Sequence, residues 1–430
     1  MYSRRVTPTL QADPECARPA TAAGESVPPE SSQASAQPDR KLRAELRPFD
    51  SIDRATWDQL AFLNPYSTPF STWAFQRAWW DAWGENADDQ TLVLVDPAAA
   101  DPKQPVAIAP LMHRHVVEPA DADRHTAIRH TDALPLTPVA PDACAVYFGA
   151  SYHADYATLL GHPANLPAAA EAVVEHLATE PMHPEPWSIV DLRRLRQADP
   201  ATDVLIEAFG RREVAEGWTL NIEREDVCPV VRLPQGVDFD GYLATLGKKE
   251  RHEVRRKVRR AESAGELALV ESTDPMADLE AFIDLHQRKW GDRGLFPDNR
   301  GGEQARVFIR RLFELFGEAT SGPSAIPDHP TVHLGFLTLN GKRIAAEIHF
   351  ETVGSLLYYN AGVDMDAKAF SPGIVQLERL VRRAIERGKC RVDLLRGNEP
   401  YKYQWGAVDE PVMRILVRRA VDGALDGAVA

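Results

Sequence analysis

The segment Val332–Val363 reads VHLGFLTLNGKRIAAEIHFETVGSLLYYNAGV. Three runs of aliphatic, aromatic and β-branched residues are separated by two short turns, Asn340-Gly341 and Val353-Gly354. Asn-Gly between such runs is the strongest short hairpin signal, because both residues tolerate the positive φ angles of a tight turn. The segment therefore predicts three consecutive antiparallel strands.

Helices and further strands flank this meander. The predicted order is a strand at 228–233, a helical stretch at 239–264, a strand at 266–272, helices at 278–290 and 304–318, the meander, a helix opened by Ser371-Pro372-Gly373 and ended by Gly388, a strand at 391–396 and a last strand near 411–418. The helices show apolar residues at helical spacing and the strands are short apolar runs. This mixture predicts an α/β fold.

The two halves of the chain share a short sequence pattern. Val-Asp-Leu occurs at 190–192 and at 392–394, an offset of 202 residues (393 − 191), each time near the end of a predicted strand that follows a helix. We interpret this as duplication of one α/β unit. It predicts an N-terminal domain over 43–225 and a C-terminal domain over 226–424. Residues 1–42, rich in Pro, Ala and Ser, are predicted to be a disordered tail.

Composition excludes several classes of protein. The 430 residues exceed one ordinary core, which favours two domains. The net charge of −14 opposes DNA binding and disfavours tRNA. The four cysteines show no metal-ligand spacing, so we predict no metal site and a reducing, cytoplasmic location. No apolar run approaches the length of a membrane span or of a secretory signal.

Five segments of the sequence together resemble the GNAT acyltransferases of the CelD/BcsL type. They are GYLATLGKKERHEVRRKVRR, LHQRKW, YYNAGVD, FSPG and DLLRGNEPYKYQW. That group is similar to the tandem-GNAT Fem aminoacyltransferases, and the resemblance spans about 45–420. It implies two tandem GNAT-like domains, each a mixed, mostly antiparallel sheet flanked by helices. It also implies acyl transfer from a coenzyme A thioester, with acetyl-CoA or another acyl-CoA as co-substrate.

The sequence departs from the family at the pyrophosphate loop. The usual Gln/Arg-x-x-Gly-x-Gly/Ala string is absent before Ile374, where the chain has DAKAFSPG with a single glycine. Ser371 and Gly373 remain candidates for binding the pyrophosphate, because a helix N-terminus presents unpaired N–H groups. An ordinary Ser-Pro helix cap that binds nothing is the alternative.

The end of the third meander strand is a second candidate cofactor contact. The backbone of Asn360, Ala361 and Gly362 could bind the thioester and stabilise an oxyanion, although these residues also suit an ordinary strand. Arg396, which ends the strand after Val-Asp-Leu, is a further cofactor candidate.

Catalytic candidates lie on the middle strand and in the loop near 400. Glu347 and His349 share one face of the strand and could act as general base, and Tyr401 could return a proton to the leaving thiolate. Tyr359 and Glu399 complete the predicted catalytic set, with solvated strand or loop positions as the alternative. The predicted substrate contacts are His286, Asp364, Asp393, Lys402 and Trp405.

Lys248–Arg260 holds eight basic and two acidic residues, a local charge of +6 in an acidic chain. Apolar residues at helical spacing predict an amphipathic helix. Its charged face is interpreted as a solvated surface, as a peripheral contact with an anionic membrane or polymer, or as a contact for the phosphates of coenzyme A or of a tRNA-linked donor.

The sequence therefore predicts an acyl-CoA-dependent N- or O-acyltransferase that acts on a small molecule, a sugar or a polysaccharide precursor. No Cys or Ser stands in a nucleophile elbow, which favours direct transfer. The first unit lacks a GNEPYKYQW continuation and is interpreted as degenerate. A Fem-like aminoacyl-tRNA-dependent transferase and a non-catalytic scaffold that binds through the basic helix are the alternatives.

Overall fold

The computed structural model describes residues 41–114, 136–140, 143, 145–151, 153–179, 187–321, 326 and 328–419. Residues 1–40 of the predicted tail lie outside this range. The α-helices are α1 (Arg54–Leu63), α2 (Trp73–Trp83), α3 (Leu166–Thr179), α4 (Pro200–Glu216), α5 (Phe239–Thr245), α6 (Lys248–Glu262), α7 (Pro275–Trp290), α8 (Arg300–Thr320), α9 (Pro372–Glu386) and α10 (Pro400–Tyr403).

The strands agree closely with the predicted order in the second half. They are β1 (Arg43–Leu46), β2 (Asp88–Asp89), β3 (Leu92–Val95), β4 (Pro105–Ala109), β5 (Leu111–Arg114), β6 (Ala145–Phe148), β7 (Leu160–Gly161), β8 (Ile189–Arg196), β9 (Thr219–Arg232), β10 (Leu267–Glu271), β11 (Thr331–Leu339), β12 (Lys342–Glu351), β13 (Ser355–Val363), β14 (Arg391–Asp393) and β15 (Val408–Arg418).

One large sheet runs through both halves of the molecule. Its strand order is β10-β11-β12-β13-β14-β9-β15-β8-β6-β5-β2, and a second sheet has the order β1-β3-β4-β7. Most neighbours in the large sheet are antiparallel, but β13 pairs with β14 in parallel and β6 pairs with β8 in parallel. Helices pack against this sheet, as the predicted α/β class requires.

The strand order reveals the predicted duplication. The two Val-Asp-Leu segments lie at equivalent places, because Asp191 is in β8 and Asp393 is in β14, the second strands of the two parallel pairs. Between them β9 and β15 form a long antiparallel pair, from Val408 opposite Val230 to Arg418 opposite Thr219. β9 pairs with β14 and β15 pairs with β8, so each half contributes a strand beside the other. The tandem arrangement of two GNAT-like α/β units is confirmed, and the predicted boundary between residues 225 and 226 falls inside β9.

A buried charge network joins the halves. Arg414 of β15 donates from Nε and Nη2 to the two carboxylate oxygens of Asp191 at 2.6 and 2.7 Å. Its Nη1 donates to Glu223 of β9 at 2.9 Å, and its side chain is almost fully buried. Burying these charges is tolerated because each has a partner.

Two predicted elements differ from the structure. The stretch 239–264 is two helices, because Leu246 is extended (φ −75°, ψ 157°) and buries its side chain between α5 and α6. The strand predicted at 391–396 ends at Asp393, because Leu395 has a left-handed backbone (φ 54°) that turns the chain out of the sheet.

Candidate active site

A wedge opens between β13 and β14. The two strands are paired only from Ser355–Leu357 to Arg391–Asp393. β13 then continues beside β12 to Val363, while the chain after Asp393 turns away. Ligands of open α/β sheets bind outside the carboxyl ends of such strands. The wedge is therefore the candidate active site.

The end of α7 covers the β13 side of the wedge. Trp290 donates from its indole Nε1 to the carbonyl oxygen of Ala361 at 3.1 Å and is 39% exposed. His286 is buried and hydrogen-bonds the side chain of Asn360; within the described residues its Nδ1 has no partner. Burial, aided by the charge of Lys289, lowers the pKa of His286 to about 4, so the ring is neutral at neutral pH. The structure thus brings the predicted His286, Asn360 and Ala361 together.

Gly362 lets α7 approach β13 closely. A Cβ atom at this position would overlap the backbone of Leu285 and His286. We expect Gly362→Ala to lower the free energy of unfolding by about 1–3 kcal/mol, because packed backbone cannot yield as a side chain can. Urea unfolding measures this change. Gly317→Ala in α8 is the control, since no atom lies within 4 Å of its added Cβ and alanine favours helix. Equal stabilities of the two variants would contradict this close approach.

A buried line of charges lies along β12. His349 Nδ1 is 2.7 Å from Glu347 Oε2, and Nε2 is 3.4 Å from Glu351 Oε1. Both His349 and Glu347 are fully buried, and Glu347 lies opposite Ala361 in the strand pairing. Burial disfavours the imidazolium, but the charges and hydrogen bonds of the two carboxylates outweigh it and raise the pKa of His349 to about 9. His349 therefore carries the proton, and the second oxygen of Glu347, Oε1, has no partner among the described residues.

This raised pKa makes stability depend on pH. The contribution of charged His349 is fully present below about pH 6.5, the ordinary pKa of histidine, and is lost as the pH rises through about 9. The shift corresponds to about 3 kcal/mol. We expect the unfolding free energy of wild type to fall over this window and that of His349→Asn to fall less, as urea titrations at each pH would show. His252→Asn, at an exposed site on α6, should parallel wild type. Parallel profiles for His349→Asn and wild type would show that the buried ring is neutral.

One trio of side chains has the composition of a metal site. Donor atoms of His333, His349 and Glu351 all lie within 4.8 Å of one another. The two imidazole rings are stacked with an interplanar angle of 11°, so their in-plane lone pairs do not converge on one ion. Arg387 also binds Glu351 at 2.6 Å, and Lys389 lies 3.5 Å from it. As placed, the trio is an ion-pair network.

Two predicted substrate contacts in the loop after β14, Lys402 and Trp405, have structural positions. Lys402 donates to the carbonyl oxygens of Leu395, Arg396 and Gly397 at 2.7–3.0 Å and is buried. This placement differs from the predicted substrate contact, because its ammonium donors are already used. Trp405 is fully buried, beneath the loop rather than facing substrate.

Arg396 and Asp393 connect the two halves. Arg396 pairs with Asp155 of the first half, and Asp393 binds Arg391 at 2.8 Å and accepts from the hydroxyl of Tyr156 at 2.9 Å. Neither side chain is free for the cofactor or substrate contact that the sequence predicts.

Two more predicted residues have structural partners. The Tyr359 hydroxyl donates to the carbonyl oxygen of His153, away from the wedge. Asp364 accepts from the backbone N–H of Asp366 at 3.0 Å and from Lys342 at 2.7 Å. The Tyr359 contact lies at the interface between the halves, and the two Asp364 contacts stabilise the turn after β13.

The other two loop candidates stay near the wedge. Tyr401 lies close enough to Tyr358 of β13 to contribute to the raised pKa of that phenol. Glu399 in turn lies close enough to Tyr401 for its charge to act on the Tyr401 phenol. Burial, with the charge of Glu399, raises the pKa of Tyr401 above its usual value, so the phenol keeps its proton. Glu399 forms an ion pair with Lys402 at 3.0 Å and is partly exposed.

The N-terminus of α9 is built differently from the predicted serine cap. Ser371 has a left-handed backbone (φ 53°, ψ 51°) and makes no side-chain cap. Its Oγ accepts instead from Arg260 of α6 at 3.1 Å. A Cβ on Gly373 would meet only Val363, at an ordinary 3.6 Å. An arginine from outside the usual loop thus lies at this helix end.

Sequence reasoning missed Lys289 and Trp290 as residues of the candidate site. Lys289 lies 4.5 Å from the centre of the Trp290 ring, and burial lowers its pKa to about 8 even though Glu399 opposes the shift. The available signal was helical spacing, because residues 286, 289 and 290 lie on one face of α7.

The chain has two parallel strand pairs in one large sheet, and in the second half a wedge follows the pair β13–β14 and leads to the N-terminus of α9. Residues 248–403 match the family model of the acetyltransferase (GNAT) domain. The GNAT resemblance drawn from the sequence is confirmed. No curated protein matches the chain.

The chain is similar to several solved structures at low identity. The crystal structure of FemX is similar over 85% of this chain and 96% of that chain, with 12% identity and a TM-score of 0.52. A tandem GNAT protein from the clavulanic acid biosynthesis pathway aligns over 89% and 100%, with 11% identity and a TM-score of 0.44. L-PGS from Bacillus licheniformis aligns over 85% and 92%, with 9% identity and a TM-score of 0.45. Within the described residues, no helix combines the length and apolar character needed to cross a membrane.

Proposed function

We propose that the protein transfers an acyl group, acetyl in the first instance, from a coenzyme A thioester to an amine or hydroxyl. The observation that carries this is the wedge between β13 and β14 inside the GNAT domain, which leads directly to the N-terminus of α9. The acceptor is proposed to be a small molecule, a sugar or a cell-envelope polysaccharide precursor. The cytoplasmic location expected from the sequence suits such a donor.

The residues at the wedge suit this chemistry. Glu347 has one oxygen held by His349 and one without a partner in the described residues, so it can accept the acceptor's proton as general base. Backbone N–H groups between Asn360 and Gly362 are proposed to stabilise the charge that develops on the thioester oxygen. Tyr401, protonated at neutral pH, can donate to the departing thiolate.

Binding of the cofactor phosphates is proposed at the start of α9. Pro372 has no N–H, and the N–H groups of Ile374 and Val375 donate to the carbonyl oxygen of Ser371. The helix dipole and the N–H of Gly373 are therefore proposed to favour an anion, and Arg260 adds a positive charge beside Ser371. This set would take the place of the glycine-rich loop that the sequence lacks.

We propose that the part of the first half that the structure describes carries no second cofactor site. The cavity beside the end of β6 holds only about 10 Å³, roughly the space of one water molecule. Phe70, Phe148 and Tyr156 line it. This supports the view that the first unit is degenerate.

Isothermal titration of the full chain with acetyl-CoA tests the proposal. We expect saturable binding below about 1 mM, and absence of heat at that concentration would overturn the acyl-CoA assignment. A parallel titration with aminoacyl-tRNA tests the alternative donor, which the basic helix α6 favours. Binding of the charged tRNA without binding of acetyl-CoA would replace the proposed donor.

A further inference from the structure

A groove lies between three helices of the second half. α5, α6 and α9 enclose a space of about 150 Å³. Its apolar lining comes from Phe239, Leu243, Val254 and Val258. Its charged lining is three arginines and two carboxylates, namely Arg255, Arg259, Arg382, Asp240 and Glu378, so its net charge is positive. A space that is apolar inside and cationic at its edge suits a ligand with an apolar chain and an anionic head.

The cations at this rim form a continuous face of α6. Lys248, Arg255 and Arg259 are exposed and lie at helical spacing along one side of the helix. Arg255 is paired with Asp240 at 2.9 Å. In the part of the chain that the structure describes, Lys248, Lys249 and Arg259 have no ion-pair partner among the carboxylates, and Arg259 donates only to a backbone carbonyl. Excess positive charge is thus available to an external anion.

A third arginine, Arg382, lies on the opposite side of the groove. Arg382 of α9 lies 4.2 Å above the Phe239 ring and binds Glu378 at 2.8 Å. The groove therefore has arginines on its α6 side and on its α9 side. An acyl chain that enters it would pass between them.

We propose that this face docks on an anionic phospholipid bilayer, with the lipid phosphates at the basic rim and the start of an acyl chain in the groove. A bilayer is favoured over a nucleic acid because the apolar lining lies directly beside the cations. α6 also has no Phe, Tyr or Trp on which a base could stack. The apolar face of α6, with Val254 and Ala261, is buried in the protein, so the groove beside the helix is the apolar surface that would contact the lipid. Such docking would hold the acidic remainder of the protein near substrates at a membrane surface.

Vesicle co-sedimentation tests the docking. The triple variant Lys248→Gln/Lys249→Gln/Arg259→Gln removes three of the charges of α6 that have no carboxylate partner among the described residues. The full chain should bind vesicles containing phosphatidylglycerol and not vesicles of pure phosphatidylcholine. Each lysine or arginine near an anionic surface adds about 1 kcal/mol, so the triple variant should bind on the order of 100-fold more weakly.

The matched control is Lys103→Gln/Arg306→Gln/Arg310→Gln. It makes the same change in net charge at other exposed or half-exposed sites, of which Arg306 and Arg310 share Glu280 as partner. It should bind vesicles as wild type does. Equal loss in both triple variants, or no binding of wild type to phosphatidylglycerol, would overturn the proposal.

Two further arms separate lipid from other anions. A short-chain soluble phosphatidylglycerol should compete with vesicles, while glycerophosphoglycerol, which lacks acyl chains, should compete much less. Equal competition by both, or binding of tRNA in preference to vesicles, would contradict a site for lipid. Acetyl-CoA titration of the triple variant should match wild type, because this docking does not rest on the proposed acyltransferase activity.

Discussion

Replacing Arg414 with methionine should lower the free energy of unfolding by about 3–5 kcal/mol. The guanidinium is buried and bridges Asp191 of the first half to Glu223 of β9. Removing it leaves carboxylates that lose a partner in a low-dielectric interior, and breaking a buried pair from one side costs about this much. Urea unfolding of the purified variant, followed by tryptophan fluorescence, measures the effect.

Arg418→Met is the matched control for this prediction. Arg418 is on the same strand, and its guanidinium donates to the carbonyl oxygen of Pro138 at an exposed site. We expect a change below about 1 kcal/mol there. Similar losses in the two variants would mean that the Asp191–Arg414 pair does not hold the halves together.

Replacing Glu347 with glutamine should lower the acyl-transfer rate by about 10²–10⁴-fold, the usual contribution of a general base. Glutamine has nearly the same shape as glutamate, but its side-chain amide is not basic enough to accept the proton that Glu347 Oε1 is proposed to take. The rate is measured as release of coenzyme A thiol from acetyl-CoA with an acceptor that supports turnover by wild type. Binding of acetyl-CoA should change little, so the loss should appear in kcat.

Glu351→Gln separates catalysis from structure. Glu351 lies on the opposite side of His349, where Arg387 also binds it. Both substitutions weaken the same buried network, so both should lower stability, but we expect only Glu347→Gln to abolish most of the turnover. A comparable fall in kcat for both variants would assign Glu347 a structural role.

Local patterns in the sequence predicted much of the second half. Asn340-Gly341 fixed the hairpin between β11 and β12, because turn chemistry acts between neighbours in the chain. The repeated Val-Asp-Leu at an offset of 202 residues (393 − 191) indicated duplication, since equivalent strands of a repeated unit keep the same buried pattern. His286, Asn360 and Ala361 lie close together, and their roles in the site stay predictions.

Contacts between residues distant in sequence could not be predicted from local patterns. Arg396 and Lys402 are charged residues of the kind that line active sites. In the structure Arg396 pairs with Asp155, and Lys402 donates to three loop carbonyl oxygens. Nothing near residue 396 in the sequence indicates a partner 241 positions away. The strand exchange between β9 and β15 was missed for the same reason, because it arises from the packing of two halves and not from local periodicity.

The most direct test of the central claim is a crystal structure of the full chain with a non-hydrolysable analogue of acetyl-CoA. The proposed function predicts the thioester mimic in the wedge beside Asn360–Gly362 and the pyrophosphate at the start of α9, next to Ser371 and Arg260. Density for the analogue in the first half, or outside the wedge between β13 and β14, would contradict it.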